Sequence, residues 1–404
     1  MSNRVDQVRP SIAMLQIENF HVGSFRGLED VALENAGQVN LIVGGNNSGK
    51  TSVLEALAVY ASPMDVGAWA DVARMREVRA FINPKRDSSL SALDALRWLF
   101  PQRQSDDWER GPRRMWLSAS GTIDVRKVSA ECLPIHGIPP EPRFAPGRMG
   151  RELELIESDG WHLTIEVEAE GGSFDLKSSK QPIDIYSYPG GQRARLEVDM
   201  WAANGVRLPF ARAKPGLRHE TLTPYSHRNQ PVQLHNLSRI ISSGNKAEVI
   251  DLLRGVDRRL RDLEIITEAT GRALITALFE DGKRMPITIL GDGFRRALAI
   301  AIAVNQVKGG LLLIDEIETA LHVSALDDLF PWLVRIAAEL KVQVFATTHS
   351  LEAIQAITNA AAKAGADSLT AYQLAGGGLG SGPPRRYSAA MLERVVRDRG
   401  LDIR

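Results

Sequence analysis

Apolar and polar positions change their period three times along the chain. Ile12 to Phe20 reads as one strand, His21 to Leu28, with Gly23 and Gly27, as a turn, and Val31 to Leu33 as the start of a second strand. Val39 to Val43 is an apolar run, and the helical run opening at Ser52 puts Val53, Leu54, Leu57, Ala58 and Val59 on a broad face, which predicts deep burial. From about Ala61 to Phe100 the period is helical, with Ala92, Leu93, Leu96, Trp98 and Leu99 at amphipathic spacings, and Pro101 ends it. Trp116 to Ile123, Glu152 to Ile156, Trp161 to Val167 and Ile183 to Tyr186 are short alternating runs that predict an antiparallel β-lobe, with Pro134 to Gly150 as a loop. Val249, Leu253, Val256, Leu260 and Leu263, spaced by four and three, predict an amphipathic helix on the core. Residues 265–289 read as strands joined by the hairpin turn Asp281-Gly282. Beyond Gly291 the alternation is regular. It gives a helix at Phe294–Val304, a stop at Gly309-Gly310 and a strand at Leu311–Ile314. A helix at Ser324–Leu340, a strand at Val342–Thr347 and a helix at Glu352–Ala364 follow, with a charged helix near Met391–Arg399. Fully apolar strands between helices predict a parallel sheet covered on both faces.

Chemistry clusters where these strands end. Gly44-Gly45-Asn46-Asn47-Ser48-Gly49-Lys50-Thr51, with Ser52 behind it, has the spacing G-x-x-x-x-G-K-[ST] between a strand and a helix. In that context the backbone N–H groups cradle phosphates, Lys50 reaches the β and γ phosphates, and the Thr51 hydroxyl ligates Mg²⁺. Leu311 to Ile314 runs into Asp315-Glu316, where Asp315 can hold the metal and Glu316 can polarise an attacking water. Thr347-Thr348-His349-Ser350 follows the next buried strand and puts His349 at the sheet edge where ligands bind. Leu290-Gly291-Asp292-Gly293 precedes a long apolar helix and bares its N-terminus, a second anion site, or a tight turn with Asp292 as its cap. Thr319 to His322 form the loop after the two acids.

Composition narrows the class. At 404 residues the chain holds two or three domain-sized units, or one core with a large insertion. Its 44% hydrophobic and 24% charged content is that of a globular protein, and 49 basic residues balance 49 acidic ones, so bulk charge gives no nucleic-acid signature. Residues 202–235 concentrate Arg207, Arg212, Lys214, Arg218, His219 and Arg228 among prolines, either as solvated surface or as a phosphate- or partner-contacting patch. The single cysteine, Cys132, excludes an intrachain disulfide and a cysteine-based zinc cluster, which fits a cytoplasmic location. The N-terminus lacks a signal-peptide core, and no apolar run approaches about 18 residues, so no membrane span is expected.

The P-loop, Leu290-Gly291-Asp292-Gly293, Asp315-Glu316 after an apolar strand and Thr347-Thr348-His349-Ser350, in that order, resemble the ABC-type ATPase heads of the SMC, RecF and OLD group. Leu15 to Phe20, Phe25-Arg26-Gly27-Leu28 and Val39 to Gly44 match that group's N-terminal pattern. Within the group the chain looks most like OLD-like "AAA family ATPases", which include ATPase subunits of bacterial antiphage systems such as Septu and PARIS. The resemblance covers residues 12–60 and about 285–358.

It implies an α/β P-loop NTPase fold of ABC/SMC-head type: a parallel core sheet, an antiparallel β layer and an inserted α+β lobe. Residues 12–62 would form the N-terminal part of the core, 63–284 the insertion and 285–404 the C-terminal part. Gly44 to Ser52 would be Walker A, Asp315 and Glu316 Walker B with Glu316 activating water, and His349 the switch histidine. Gly291, Asp292 and Gly293 would contact the nucleotide of a second subunit, and Thr319 to His322 would cross the dimer interface. Asp292 stands where ABC proteins carry the signature serine or first glycine, which weakens a transporter reading. The Q-loop glutamine is open between Gln102 and Gln104. The segment after His349 lacks a paired-acid motif, so the chain is not expected to cut DNA itself. The implied activity is Mg²⁺-dependent ATP binding and hydrolysis by a homodimer that controls a separate effector in antiphage defence. The alternatives are a RecF-like DNA-repair ATPase, with DNA as a partner, and a regulatory ATP-binding scaffold with little hydrolysis.

Overall fold

The computed structural model describes residues 15–76, 92–102, 111–139, 157–170, 183–201, 216–229, 234–267, 271, 273–364, 368–375 and 383–395. In chain order the first strands are β1 (Asn19–Phe25), β2 (Leu28–Leu33) and β3 (Val39–Val43), followed by helices α1 (Lys50–Ala61), α2 (Val66–Arg74) and α3 (Ala92–Arg97). Next come β4 (Arg113–Ser120), β5 (Val125–Gly137), β6 (Ser158–Ala169), β7 (Ile183–Tyr188), β8 (Gly191–Trp201) and β9 (His219–Leu222). Helices α4 (Ser226–Asn229), α5 (Leu234–Ser242) and α6 (Lys246–Val256) lead to β10 (Leu260–Thr267), β11 (Ala273–Phe279) and β12 (Arg284–Pro286). The last third holds α7 (Asp292–Gln306), β13 (Leu311–Ile314), α8 (Val323–Glu339), β14 (Gln343–Thr347), α9 (Leu351–Ala364), β15 (Leu369–Gln373), β16 (Arg385–Ser388) and α10 (Ala389–Glu393).

The core is a six-stranded sheet in the order β16-β15-β3-β14-β13-β9. All of its neighbours run parallel except β15 and β16. Its side chains alternate between two apolar clusters. Leu312, Ile314, Val344, Ala346, Leu41 and Val43 face the cluster that holds Phe294, Leu326 and Ile354 of α7, α8 and α9. Leu311, Leu313, Phe345 and Ile42 face the cluster of α1 and the second sheet. Burial on both faces explains why these strands read as unbroken apolar runs. The edge strand β9 comes from the inserted stretch of sequence, yet pairs with β13 as Leu222↔Ile314.

The second sheet is antiparallel and seven-stranded, β2-β1-β4-β5-β6-β8-β7. The early strands and the β-lobe are therefore continuous, joined where β1 pairs with β4. Helix α1 lies between the two sheets, and its residues from Ser52 to Ala61 are all buried. Tyr60 packs edge-on against Phe20 and donates to the Val125 carbonyl at 2.5 Å. Gln343 ties the sheets together: its carbonyl accepts from Ile17 N–H at 2.9 Å, and its amide donates to the Ile17 carbonyl at 2.7 Å.

Several sequence expectations are corrected. The first strand is not Ile12–Phe20 but Asn19–Phe25, so His21 to Phe25 is strand rather than turn. Residues 12–14 lie outside the described residues. Gly23 sits within β1 because the Trp116 ring lies 1.8 Å from where a Cβ would stand, a close approach rather than a bend. Pro134 to Gly137 is not loop but the end of β5. β4 pairs only as far as Cys132, so Pro134 has a single neighbour, β6, and its missing N–H costs no ladder bond on the open side. The helix predicted through Leu263 stops at Val256 and the chain turns into β10, where Leu260 and Leu263 stay buried as strand residues. The helical expectation across residues 61–100 resolves into α2 and α3, with 77–91 outside the described residues. The same holds for Glu152–Ile156. β5, β8, β15 and β16 were not anticipated as strands.

Candidate functional site

The ends of β3, β13 and β14 adjoin at one edge of the parallel sheet, and each carries one of the motifs. The loop Gly44–Thr51 links β3 to α1. Gly49 caps α1 at φ +93°, a conformation that needs glycine, and a Cβ there would also stand 2.5 Å from Leu28. Asn46 and Asn47 are exposed, whereas Ser48 is buried and its hydroxyl has no protein partner. Lys50 Nζ donates to the carbonyls of Gly44 and Gly45, both at 2.8 Å, so it folds back over the loop. Burial lowers its pKa, and Asp315, Glu316 and Glu318 oppose that shift. Behind the loop, Glu55 is buried between Arg26 (3.2 Å) and Arg76 (2.7 Å), and Arg76 also donates to the Ser52 hydroxyl at 2.8 Å.

The Thr51 hydroxyl lies 3.1 Å from both oxygens of Asp315. Thr347 locks the acid from the neighbouring strand: its hydroxyl donates to Asp315 Oδ1 at 2.6 Å and accepts from Glu316 N–H at 2.8 Å. Desolvation raises the Asp315 pKa, against the pull of the Thr347 and Thr51 hydroxyls. A half-buried carboxylate bonded to hydroxyls favours a cation. Among the described residues no cluster of three His, Cys, Asp or Glu side chains can hold a metal. The Thr51 hydroxyl beside the Asp315 carboxylate fits Mg²⁺, which takes one or two protein oxygens and fills its octahedron with phosphate and water.

Glu316 turns out of β13 at φ +47°, and its carboxylate accepts from the Thr319 hydroxyl at 3.0 Å. His349 is exposed and pairs with Glu318. Its Nδ1 lies 3.3 Å from Glu318 Oε1, which also accepts from the His349 N–H at 3.1 Å. The other Glu318 oxygen is buried and has no partner. His322 caps α8 by accepting from Ser324 N–H at 3.3 Å.

Gly291 caps α7 without a side-chain bond, and Asp292 opens the helix, ion-paired to Arg228 and Arg295. A Cβ on Gly293 would stand 3.0 Å from the Ala320 carbonyl, so the start of α7 packs on the loop after the acids in the same chain. Gln102 donates to the carbonyls of Arg97 and Phe100 (3.1 and 2.7 Å) and lines a cavity of about 320 Å³ with Asn47, Ser48 and Gly49. Gln104 lies outside the described residues. The loop that faces the Thr51–Asp315 pair is the one after β9. Thr221, Thr223 and Tyr225 line a cavity of about 230 Å³ with Thr51 and Asp315, and no glutamine lines it.

Sequence reading missed Arg296, which is fully buried and donates to the carbonyls of Thr223 (2.6 Å), Asp315 (3.0 Å) and Glu316 (3.2 Å). Its signal was a charge on the apolar stripe Ala297, Ile300, Ala303 of α7. Thr347 and Arg228 stood in a motif and a basic patch of the sequence, but their roles and that of Glu318 were not legible there, because each acts through a partner distant in sequence.

Two family models match, one described as "AAA domain" over residues 14–61, the other as "AAA domain, putative AbiEii toxin, Type IV TA system" over residues 178–355. An uncharacterised protein of Methanocaldococcus jannaschii, MJECL11, is 40% identical over 83 residues, 20% of this chain and 73% of that protein. The chain belongs to the same family as that protein. A second archaeal relative, the uncharacterised MJECL10, is 52% identical over 46 residues, and the chain spans only 21% of its length. An ATP/GTP phosphatase of Helicobacter pylori is 27% identical over 347 residues, 84% of this chain and 86% of that protein. Among solved structures, an SMC head bound to the C-terminal winged-helix domain of ScpA aligns over 92% of this chain and 98% of its own, at 12% identity and a TM-score of 0.43. With the geometry of the loop, the two AAA-domain matches and the phosphatase relative make the chain an ATPase. Among the described residues of the ATPase no helix is long and apolar enough to cross a membrane.

Proposed function

We propose that the ATPase binds Mg²⁺·ATP at Gly44–Ser52 and hydrolyses it as a homodimer, each nucleotide lying between the P-loop of one copy and the Gly291-Asp292-Gly293 turn of the other. The observation that carries this reading is the Thr51 hydroxyl held 3.1 Å from both Asp315 oxygens, which joins the two metal-side groups before any ligand arrives. Bound there, Mg²⁺ would neutralise charge on the β and γ phosphates. Lys50 holds the phosphates, Glu316 orients and deprotonates the attacking water, and His349 contacts the γ-phosphate. Thr319 and His322 lie in the loop that meets the second copy.

In this reading residues 12–62 and 285–404, completed by the edge strand β9, form the catalytic core, and the rest of 63–284 the region that responds to nucleotide. The family model over residues 178–355 carries a toxin–antitoxin description, which supports a defence role, and the separate effector rests on the likeness to antiphage ATPase subunits. ATP turnover and mass by light scattering, with and without Mg²⁺, test the proposal. Turnover that survives EDTA, or a Glu316→Gln variant that hydrolyses ATP like the parent, overturns the catalytic assignment. A protein that stays monomeric with saturating ATP overturns the sandwich. Stimulation by duplex DNA that fades steeply with salt would move the role toward DNA repair.

A further inference from the structure

Asp292, the first residue of α7, brings a carboxylate to the start of the helix, where side chains rather than the helix N–H groups hold it. Arg228 Nε donates to Asp292 Oδ2 at 2.7 Å, and Arg295 pairs with Oδ1 of the same carboxylate. Beneath them lies His227, whose side chain is 2% exposed, with Nε2 3.9 Å from Asp292 Oδ2. Neither His227 nitrogen has a hydrogen-bond partner, and Arg295 Nε is buried and unpartnered as well. One carboxylate thus faces two guanidiniums, an imidazole and a free helix N-terminus of fifteen residues. Its two oxygens leave donors unused, and a tetrahedral anion would fill more of them.

We propose that this cluster is a phosphate site for the nucleotide held by a second copy, latched in the free subunit by the Asp292 carboxylate. The inference rests on the two-subunit reading and adds to it a named contact, Arg228, and a threshold, Asp292. Arg228 is the most exposed member, at 57% of its side chain, and comes from α4, just after the strand beside Asp315. On assembly its guanidinium exchanges one carboxylate for a phosphate of higher charge. The exchange costs little desolvation because the group is ion-paired before and after. Until then the population able to accept a second nucleotide is reduced, and apparent affinity between subunits falls by the same factor. The latch also reaches the catalytic loop. Arg296, next to Arg295, bonds to the backbone of Asp315 and Glu316, so a shift of the first turn of α7 is felt at both acids.

The test uses the full chain with Mg²⁺ and a non-hydrolysable ATP analogue, comparing the parent with Arg228→Gln and Asp292→Asn. Arg228→Gln is expected to bind the analogue as a dilute monomer with unchanged Kd and to need about tenfold more protein to dimerise. Asp292→Asn is expected to dimerise at about tenfold lower protein concentration, a gain that misfolding cannot mimic. Parent-like dimerisation of both variants overturns the latch, as does a weaker dimer in Asp292→Asn. Loss of analogue binding by the Arg228→Gln monomer assigns the cluster to the chain's own nucleotide and also overturns it. A parent that never dimerises removes the two-subunit reading, and this one with it.

Discussion

Arg296 donates to the backbone carbonyl of Asp315 at 3.0 Å, so a charged side chain with no solvent exposure braces the strand tip that carries the acids. Burial pushes its pKa down to about 10, against the pull of Asp315, Glu318 and Glu316. Its guanidinium spends its bonds on three carbonyls rather than on a carboxylate. Arg296→Met keeps the length and apolar stem but removes all three bonds, a loss of about 3 kcal/mol at roughly 1 kcal/mol each, even though the Thr223 and Glu316 carbonyls keep the N–H groups of Ser226 and Thr319. Chemical denaturation should show a lower midpoint with the same slope. Arg296→Lys, with one ammonium for three carbonyls, should fall between. A Met variant as stable as the parent would leave the brace without energetic weight.

Lys50→Ala should abolish ATP binding while leaving the fold intact. Nζ is held by the Gly44 and Gly45 carbonyls, bonds a neutral replacement can leave to water. A charge-assisted contact to two phosphates goes with it, and the expected loss is about 100-fold or more in affinity. Titration with a fluorescent ATP analogue reads it directly, and parent-like affinity would displace the phosphate site from this loop.

The catalytic edge was legible because burial and chemistry coincide there. Val39–Val43, Leu311–Ile314 and Gln343–Thr347 are covered on both faces, so each reads as an apolar run ending at a motif. The antiparallel sheet was harder, since its outer face is charged. Arg193, Arg195, Glu197 and Asp199 alternate in β8 with buried Ala194, Leu196, Val198 and Met200, and several of these charges pair across strands, as Arg193 does with Glu168. Strict alternation was present, but the charges hid it among turn-like residues. Long-range partners such as Thr347 with Asp315 carry no local spacing at all, and only the register of β13 beside β14 brings them together.

Glu318 should act through His349. It holds both the ring and the N–H of that residue with one oxygen, from a site where its own second oxygen is buried and idle. Glu318→Gln keeps an acceptor for the N–H but lowers the charge beside the ring. It should cut kcat by about tenfold with KM for ATP nearly unchanged, a loss of transition-state interaction alone. In a double-mutant cycle with His349→Ala the two effects should not add, because the residues act as a unit. Additive losses would mean that Glu318 serves the loop and not the histidine.

Glu220 supplies a pH test that avoids the site. It lies in the edge strand β9, has no hydrogen-bond or ion-pair partner among the described residues, and burial raises its pKa above the ordinary glutamate value. A raised folded pKa means that the native state holds the proton longer than the unfolded chain does. The wild type is then least penalised below the ordinary glutamate range and loses stability as pH rises through the shifted value. Glu220→Gln removes the ionisation, with an expected gain of about 1 kcal/mol once the wild-type carboxylate is charged. That corresponds to a melting point higher by about 2 °C at pH 8, shrinking toward zero as pH falls toward 4.5. A variant with the same advantage at both ends of this range would owe it to packing, and one less stable at pH 8 would reveal a partner for the Glu220 carboxylate.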